Sequence, residues 1–386
     1  MKKFTKKAAL LAASFLIAPL AASAQEEYVI GVAVANSGGL APFSQPAFNG
    51  FSYCVDQKNE AGGIAGQYPI RLEVRDTRSD IAEAVRFAQE FVDLGVNFIV
   101  APPDGDPTIA MGQITTPAAI PTMTFAGTAP ILTLNGGEYV FGSYPADNQQ
   151  AAVLGAYAAE LGYKSTWIMT SPDAAYTQFG PRYFASAFEA NGGKLLGEGS
   201  FSMGQPDFNA IVTTIQSLDP QPDVIMTSAW EPDFPAFVRA LRGAGVGIPV
   251  MGADVLDTPT VRGLGDVVEG IVHTSGGYAE PGSAHAEFNA AFEAATGEAA
   301  DTNYVVNGCD ILTMIDAAVQ AAGTTDSAEV GIALAKLPET QGIMSSFTFE
   351  GTDRMPMREV VLARIEGGEK VFIRRQLADA ETMPDP

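Results

Sequence analysis

Two hydrophobic rhythms alternate along this chain. Short runs rich in valine and isoleucine predict strands at 28–35, 70–76, 96–101 and 120–125. Between them, apolar positions recur at helical spacing. Ala47, Phe48, Phe51, Cys54 and Val55 mark a helix over 46–60, and Ala84, Val85, Ala88 and Phe91 mark another that Ser79 can cap and that runs to Leu94. A further helix is predicted from Thr108. Such alternation is the mark of parallel crossover units, because parallel neighbours need a connection long enough to return across the sheet.

After Tyr144-Pro145-Ala146-Asp147 the rhythm restarts, with helices predicted at 149–161, 180–190, 208–218 and 233–241 and strands at 166–170, 224–227 and 248–251. The last third carries a helix after Pro281, a long one over 305–322, and strands at 360–365 and 370–375 joined by the turn Glu366-Gly367-Gly368. A chain of 386 residues exceeds what one hydrophobic core usually serves, so two lobes are predicted.

The first residues belong to neither lobe. Lys2, Lys3, Lys6 and Lys7 precede an apolar run over 8–22, and Ala22-Ser23-Ala24 supplies small residues for cleavage, the pattern of a secretory signal peptide over 1–24. The run is shorter than a membrane-spanning helix and is interrupted by Pro19, so a permanent anchor is not expected. No cysteine stands at Gln25 to accept a lipid, and the expected product is a soluble periplasmic protein. The net charge of −23 becomes more negative once the leader lysines are removed, which excludes nucleic acid and anionic lipid as natural partners. Cys54 and Cys309 both lie in apolar helical patterns, and two buried free thiols and a disulfide are equally open readings. Export permits a disulfide between them without requiring it, and two cysteines cannot make a structural zinc site.

Open parallel sheets bind ligands beyond the carboxyl ends of their strands. Here those ends lead to Phe43, to Asp104-Gly105-Asp106, to Ala126-Gly127-Thr128 and, in the second lobe, to Tyr176, Trp230 and Asp254. If the lobes face each other, these loops share one cleft. Trp230 follows a strand end and precedes Glu231-Pro232, which favours the cleft over the core; Asp254 has the same location and no evident capping duty. Enzyme chemistry finds little material. The chain has no nucleophile elbow, phosphate-binding loop, zinc-protease motif or dinucleotide turn, and only His273 and His285. His273 is read as a hinge residue and His285 as a helix-surface residue. Neither catalysis nor a metal or other cofactor is expected.

Four segments, in order and spacing, carry a resemblance: Asn59-Glu60-Ala61-Gly62-Gly63-Ile64-Ala65-Gly66, the loop 126–130, the helix 237–245, and Met251-Gly252-Ala253-Asp254. With them the whole mature chain resembles the leucine/isoleucine/valine-binding family of type I periplasmic solute-binding proteins. The resemblance implies an α/β fold of two lobes, each a mostly parallel sheet with helices on both faces, joined by three crossings. One lobe would comprise 25–145 and 277–346, the other 146–276 and 347–386, with the second crossing near 273–277 and the third near 346–349. It also implies a monomer that closes on a small-molecule ligand and delivers it to the permease subunits of an ABC importer; the same module can instead report to a chemoreceptor. Carried over residue by residue, an amino-acid site would hold the ligand ammonium with the carboxylate of Asp254, the hydroxyl of Thr128 and the carbonyl of Ala126. Phe43, Tyr176, Trp230 and Tyr304 would surround the ligand.

The third-strand loop departs from that pattern. Amino-acid binders of the family usually offer a small hydroxyl residue to the ligand carboxylate there, whereas this chain has Gly105 between two aspartates. Either the Gly105 amide receives a carboxylate while Asp104 and Asp106 turn away, or the aspartates face inward and the ligand lacks a carboxylate. In the second case the four aromatic rings and Asp254 suit a cationic head. An acid at 106, just before Pro107 and the helix from Thr108, also commonly caps a first turn.

Overall fold

The computed structural model describes residues 26–386 and Met1; the expected leader and its cleavage site lie outside the described residues. Five parallel strands form the first sheet: β1 (Tyr28–Val34), β2 (Ile70–Asp76), β3 (Phe98–Ala101), β4 (Thr122–Thr124) and β5 (Val140–Phe141), in the spatial order β2-β1-β3-β4-β5. The second sheet begins with β6 (Ser165–Thr170), β7 (Lys194–Ser200), β8 (Val224–Thr227), β9 (Val250–Gly252) and β10 (Val272–Ser275), again all parallel. A short pair follows, β11 (Phe347–Thr348) and β12 (Met357–Arg358), and then β13 (Val360–Glu366) and β14 (Glu369–Gln376), which join β10 antiparallel and complete the order β14-β13-β10-β9-β8-β6-β7. Interior strands such as β3 and β8 are buried along their whole length, as expected where helices cover both faces of a sheet. The result is the predicted two-lobed α/β fold.

Two corrections concern the first lobe. Ser79 does not cap the second helix: Asp80 does, accepting from the amides of Ala82 and Glu83, and the helix is Ile81–Leu94. The Ser79 hydroxyl instead accepts from the Leu40 amide at 3.1 Å and donates to the Ser37 carbonyl at 2.6 Å, pinning the loop after β1. Of the two readings open for Cys54 and Cys309, the structure shows the disulfide, with Cα atoms 5.5 Å apart. Its cause lies in the facing helices Ala41–Glu60 and Asn303–Ala322. A Cβ on Gly50 would overlap the Val305 carbonyl, and one on Gly308 the Ala47 carbonyl, so two glycines let the backbones approach until the cysteines meet. His285 is also not a surface residue. It is buried, and loss of hydration lowers its imidazole pKa to about 4.

The segments linking the lobes are fastened to one another. The Tyr144 hydroxyl, in the first, accepts from the Gly276 amide in the second at 2.6 Å. Fully buried Arg358 donates to the Ser143 carbonyl at 3.1 Å and the Ser345 hydroxyl at 3.1 Å, and ion-pairs with Asp310. His273 lies on β10, the strand leading into the second link. Residues 347–358 stay with the first sheet: Phe349 packs edge-on against Phe141, and the Gly142 amide donates to the Arg354 carbonyl. We therefore propose that the third crossing lies at Arg358–Val360, about ten residues after the expected 346–349, because the ring of Phe349 is sequestered at the edge of the first lobe.

Candidate ligand-binding cleft

Asp254 begins a single turn of 3-10 helix after β9 and is 2% exposed. Its carboxylate accepts from the Tyr176 hydroxyl at 2.9 Å, while the Tyr304 hydroxyl lies 3.1 Å from its main-chain carbonyl and 3.4 Å from its carboxylate. Tyr176 opens the helix Ala175–Ala190 of the second lobe, and Tyr304 opens the helix Asn303–Ala322 of the first, so one carboxylate is gripped from both sides. Phe43 meets Tyr304 edge-on at 5.5 Å, and Trp230 lies tilted on Tyr176 at 5.8 Å. These rings and Asp254, with Ala126, Thr128, Leu40, Pro103, Gly127, Val255 and Asp104, line one cavity that opens to solvent.

Gly105 and Asp106, expected at the ligand, are not among the residues lining this cavity; Asp104 is. The reason is local. The helix begins at Gly105 rather than Thr108, so Asp104 becomes its extended N-cap, and its carboxylate accepts from the Gly105 amide at 2.7 Å. The amide that was to receive a ligand carboxylate is thereby occupied by the protein's own. Asp106 looks across the cleft instead, 3.4 Å from the amide of Ala175 at the start of the opposite lobe's helix, which has no side-chain cap of its own. Thr128 also has a prior engagement: its hydroxyl lies within hydrogen-bonding reach of buried Asp147. Pro103 and Val255 were missed because each lies beside an aspartate and has no polar side-chain group of its own, and Leu40 because nothing chemical marks it three positions before Phe43.

The electrostatics are one-sided. Burial pushes the Asp254 carboxyl up to about 6 against the opposing hydrogen bonds from Tyr176 and Gln150. Desolvation by the cleft walls, with the adjacent Asp106 charge, raises Asp104 to about 7, and burial raises Asp147 well above the ordinary range. No lysine or arginine lines the cavity, and none of these three carboxylates belongs to an ion pair among the described residues. Asp257 is the contrast. Burial pushes it up too, but Lys370, His273 and Arg262 outweigh that and hold it below the ordinary range.

A raised carboxyl pKa means that the folded chain holds protons the unfolded chain has lost. The contribution of Asp254 and Asp104 to the stability of the ligand-free protein should therefore fall as pH rises from about 4, the unfolded value, through 6 and 7, their folded values, while buried His285, lowered to about 4, acts in the opposite sense up to about 6.5. Thermal melting of the parent and of Asp104→Asn between pH 4 and 8 isolates it: the variant should gain on the parent as pH rises, and a constant difference would contradict the uncompensated carboxylates.

The model of the family described as periplasmic binding protein matches residues 27–370. The chain belongs to that family. A Leu/Ile/Val-binding protein of Rhizobium johnstonii is 25% identical to it, covering 94% of this chain and 97% of its own. Among solved structures, a leucine-binding protein of Thermotoga maritima superposes with a TM-score of 0.82 at 22% identity over 90% of this chain and 98% of that one. A solute-binding protein of an ABC transporter from Rhodopseudomonas palustris, solved with 3,4-dihydroxybenzoic acid, gives 0.80 at 22% identity over 92% and 98%. Those two likenesses establish the shared fold. This periplasmic binding protein is thus a ligand carrier and not an enzyme, and it is similar to a Leu/Ile/Val-binding protein along nearly its whole length. Its relatives take ligands as different as leucine and a benzoic acid, so the side chains of the cleft must decide the ligand in each.

Proposed function

We propose that this protein is the exported, monomeric capture component of an ABC importer and that its ligand is a small organic cation without a free carboxylate, an amine or alkylammonium compound. The observation that carries this is Asp104: its carboxylate fills the Gly105 amide and faces the same cavity as Asp254, with no cationic side chain between them. A ligand carboxylate about 5 Å from one ionised aspartate would be repelled by about 3 kcal/mol at an effective dielectric of 20, and a cation attracted by as much. The rings of Phe43, Tyr176, Trp230 and Tyr304 add faces on which a cation is held, each contributing roughly 0.5–2 kcal/mol. Closure follows from contact with both lobes: a ligand between Tyr176 and Tyr304 favours the closed state by the difference in its affinity for closed and open forms.

Calorimetry against amines, alkylammonium ions, branched-chain amino acids and benzoates tests the reading directly. Amines and alkylammonium ions are expected to bind, more tightly as pH rises from 5 to 8, because ionised Asp254 and Asp104 are the binding forms. Tighter binding of leucine or benzoate would overturn the assignment. A specificity reversal is also expected. Asp104→Ser frees the Gly105 amide and removes the repelling charge, so the variant should gain thermal stabilisation by zwitterionic amino acids and lose part of that given by amines.

A further inference from the structure

Behind the cleft, inside the second lobe, lies a smaller cavity between the helix Asp147–Glu160 and the ends of β8, β9 and β10, with room for one group the size of a water molecule. Asp147, Gln150, Ser228 and Thr274 supply its polar wall. Two of those groups are orphaned: Asp147 Oδ2 and Ser228 Oγ are buried and have no hydrogen-bond partner, in residues only 4% and 0% exposed. An unmade hydrogen bond at a buried carboxylate is among the costlier defects a protein carries, and it points to an occupant.

The two cavities are separated by one layer of side chains. Thr128, on the cleft wall, accepts the Asp147 amide on its main-chain carbonyl at 2.9 Å, and the sequence neighbours Ala253 and Asp254 line the rear cavity and the cleft respectively. Asp147 is also within electrostatic reach of both Asp254 and Asp104. Cleft and rear cavity together therefore present three buried acidic groups with no cationic partner among the described residues, each of which an adjacent ammonium would hold ionised against its burial. Ammonium matches the rear space in size and in chemistry, with donors for the unpartnered oxygens of Asp147 and Ser228 beside a Gln150 oxygen that already accepts from the Thr274 hydroxyl.

We infer that the rear cavity is a second compartment of the binding site, taking the far ammonium group of a diamine whose near ammonium sits against Asp254. This rests on the organic-cation reading and narrows it. Entry requires the Thr128 side chain to turn aside, after which the ligand backbone replaces it along the wall. A merely electrostatic preference for dications would not depend on ligand length, whereas a compartment at a fixed depth does.

The test is calorimetry on the full mature protein in 0.5 M sodium chloride, with n-alkylamines and α,ω-diamines of three to six carbons. One diamine length is expected to bind at least tenfold more tightly than the monoamine of that length, with shorter and longer diamines weaker. In Asp147→Asn that ratio should collapse towards one, and in Ser228→Ala, which keeps all buried charges, it should fall several-fold; the second variant decides if the first does not fold. Equal binding of monoamines and diamines, or diamine affinity without a length optimum, overturns the second compartment and leaves the organic-cation reading standing. Binding of amino acids or benzoates with no amine binding overturns both.

Discussion

Asp254→Asn is expected to weaken amine binding by two to three orders of magnitude, about 3–4 kcal/mol, while the ligand-free variant melts no lower than the parent at pH 8. The two halves of that result have one cause. In the closed site the carboxylate is the cation's charge-assisted partner, and removing one member of such a buried pair typically costs 2–5 kcal/mol. Without ligand the same carboxylate is a buried group whose charge no basic side chain offsets, since its hydrogen bonds come only from neutral donors such as Tyr176, Tyr304 and Gln150. Asparagine keeps an oxygen for the tyrosines and relieves the burial of charge. Calorimetry gives the first half and thermal melting the second. Unchanged affinity would remove Asp254 from the site, and a large fall in ligand-free stability would make it a structural residue.

Reduction of the Cys54–Cys309 disulfide is expected to destabilise the first lobe by about 3–5 kcal/mol, the range for a cross-link that closes a long loop. The bonded residues are 255 positions apart, with the whole run of the second sheet from β6 to β10 between them. Urea unfolding of the oxidised protein, the reduced protein and the Cys54→Ser/Cys309→Ser variant measures the loss. Ligand affinity should change little, because neither sulfur lines the cleft. Coincident unfolding curves for oxidised and reduced protein would contradict the prediction.

Much of the fold was legible because its strands are buried on both faces and read as unbroken apolar runs, β3 and β8 above all. β7 was not legible. Lys194–Ser200 sits at the sheet's edge, pairs only with β6, and carries two glycines and a glutamate, so it has neither an apolar run nor a clean alternation. Seven of the nine expected residues line one cavity: Phe43, Ala126, Thr128, Tyr176, Trp230 and Asp254, which strand ends pointed to, and Tyr304, which only the family resemblance supplied. The exchange of Asp104 for Gly105 and Asp106 marks the boundary of that approach. Which residue of three in a row points inward depends on where the helix starts, and a start three residues early turned the cap from a neighbour of the site into its wall. The disulfide was illegible for another reason. Its proximity depends on Gly50 and Gly308, each facing a backbone more than 250 positions away.

Arg358 and Tyr144 have a mechanical meaning as well. By clamping Ser143, Ser345, Asp310 and Gly276 to one another they tie the strands that join the lobes into a single axle. Sliding or twisting one lobe on the other would tear buried polar contacts, whereas swinging about the axle would not. We propose that the soft motion left to the molecule has one degree of freedom, so that any partner touching both lobes at once reads a single angle.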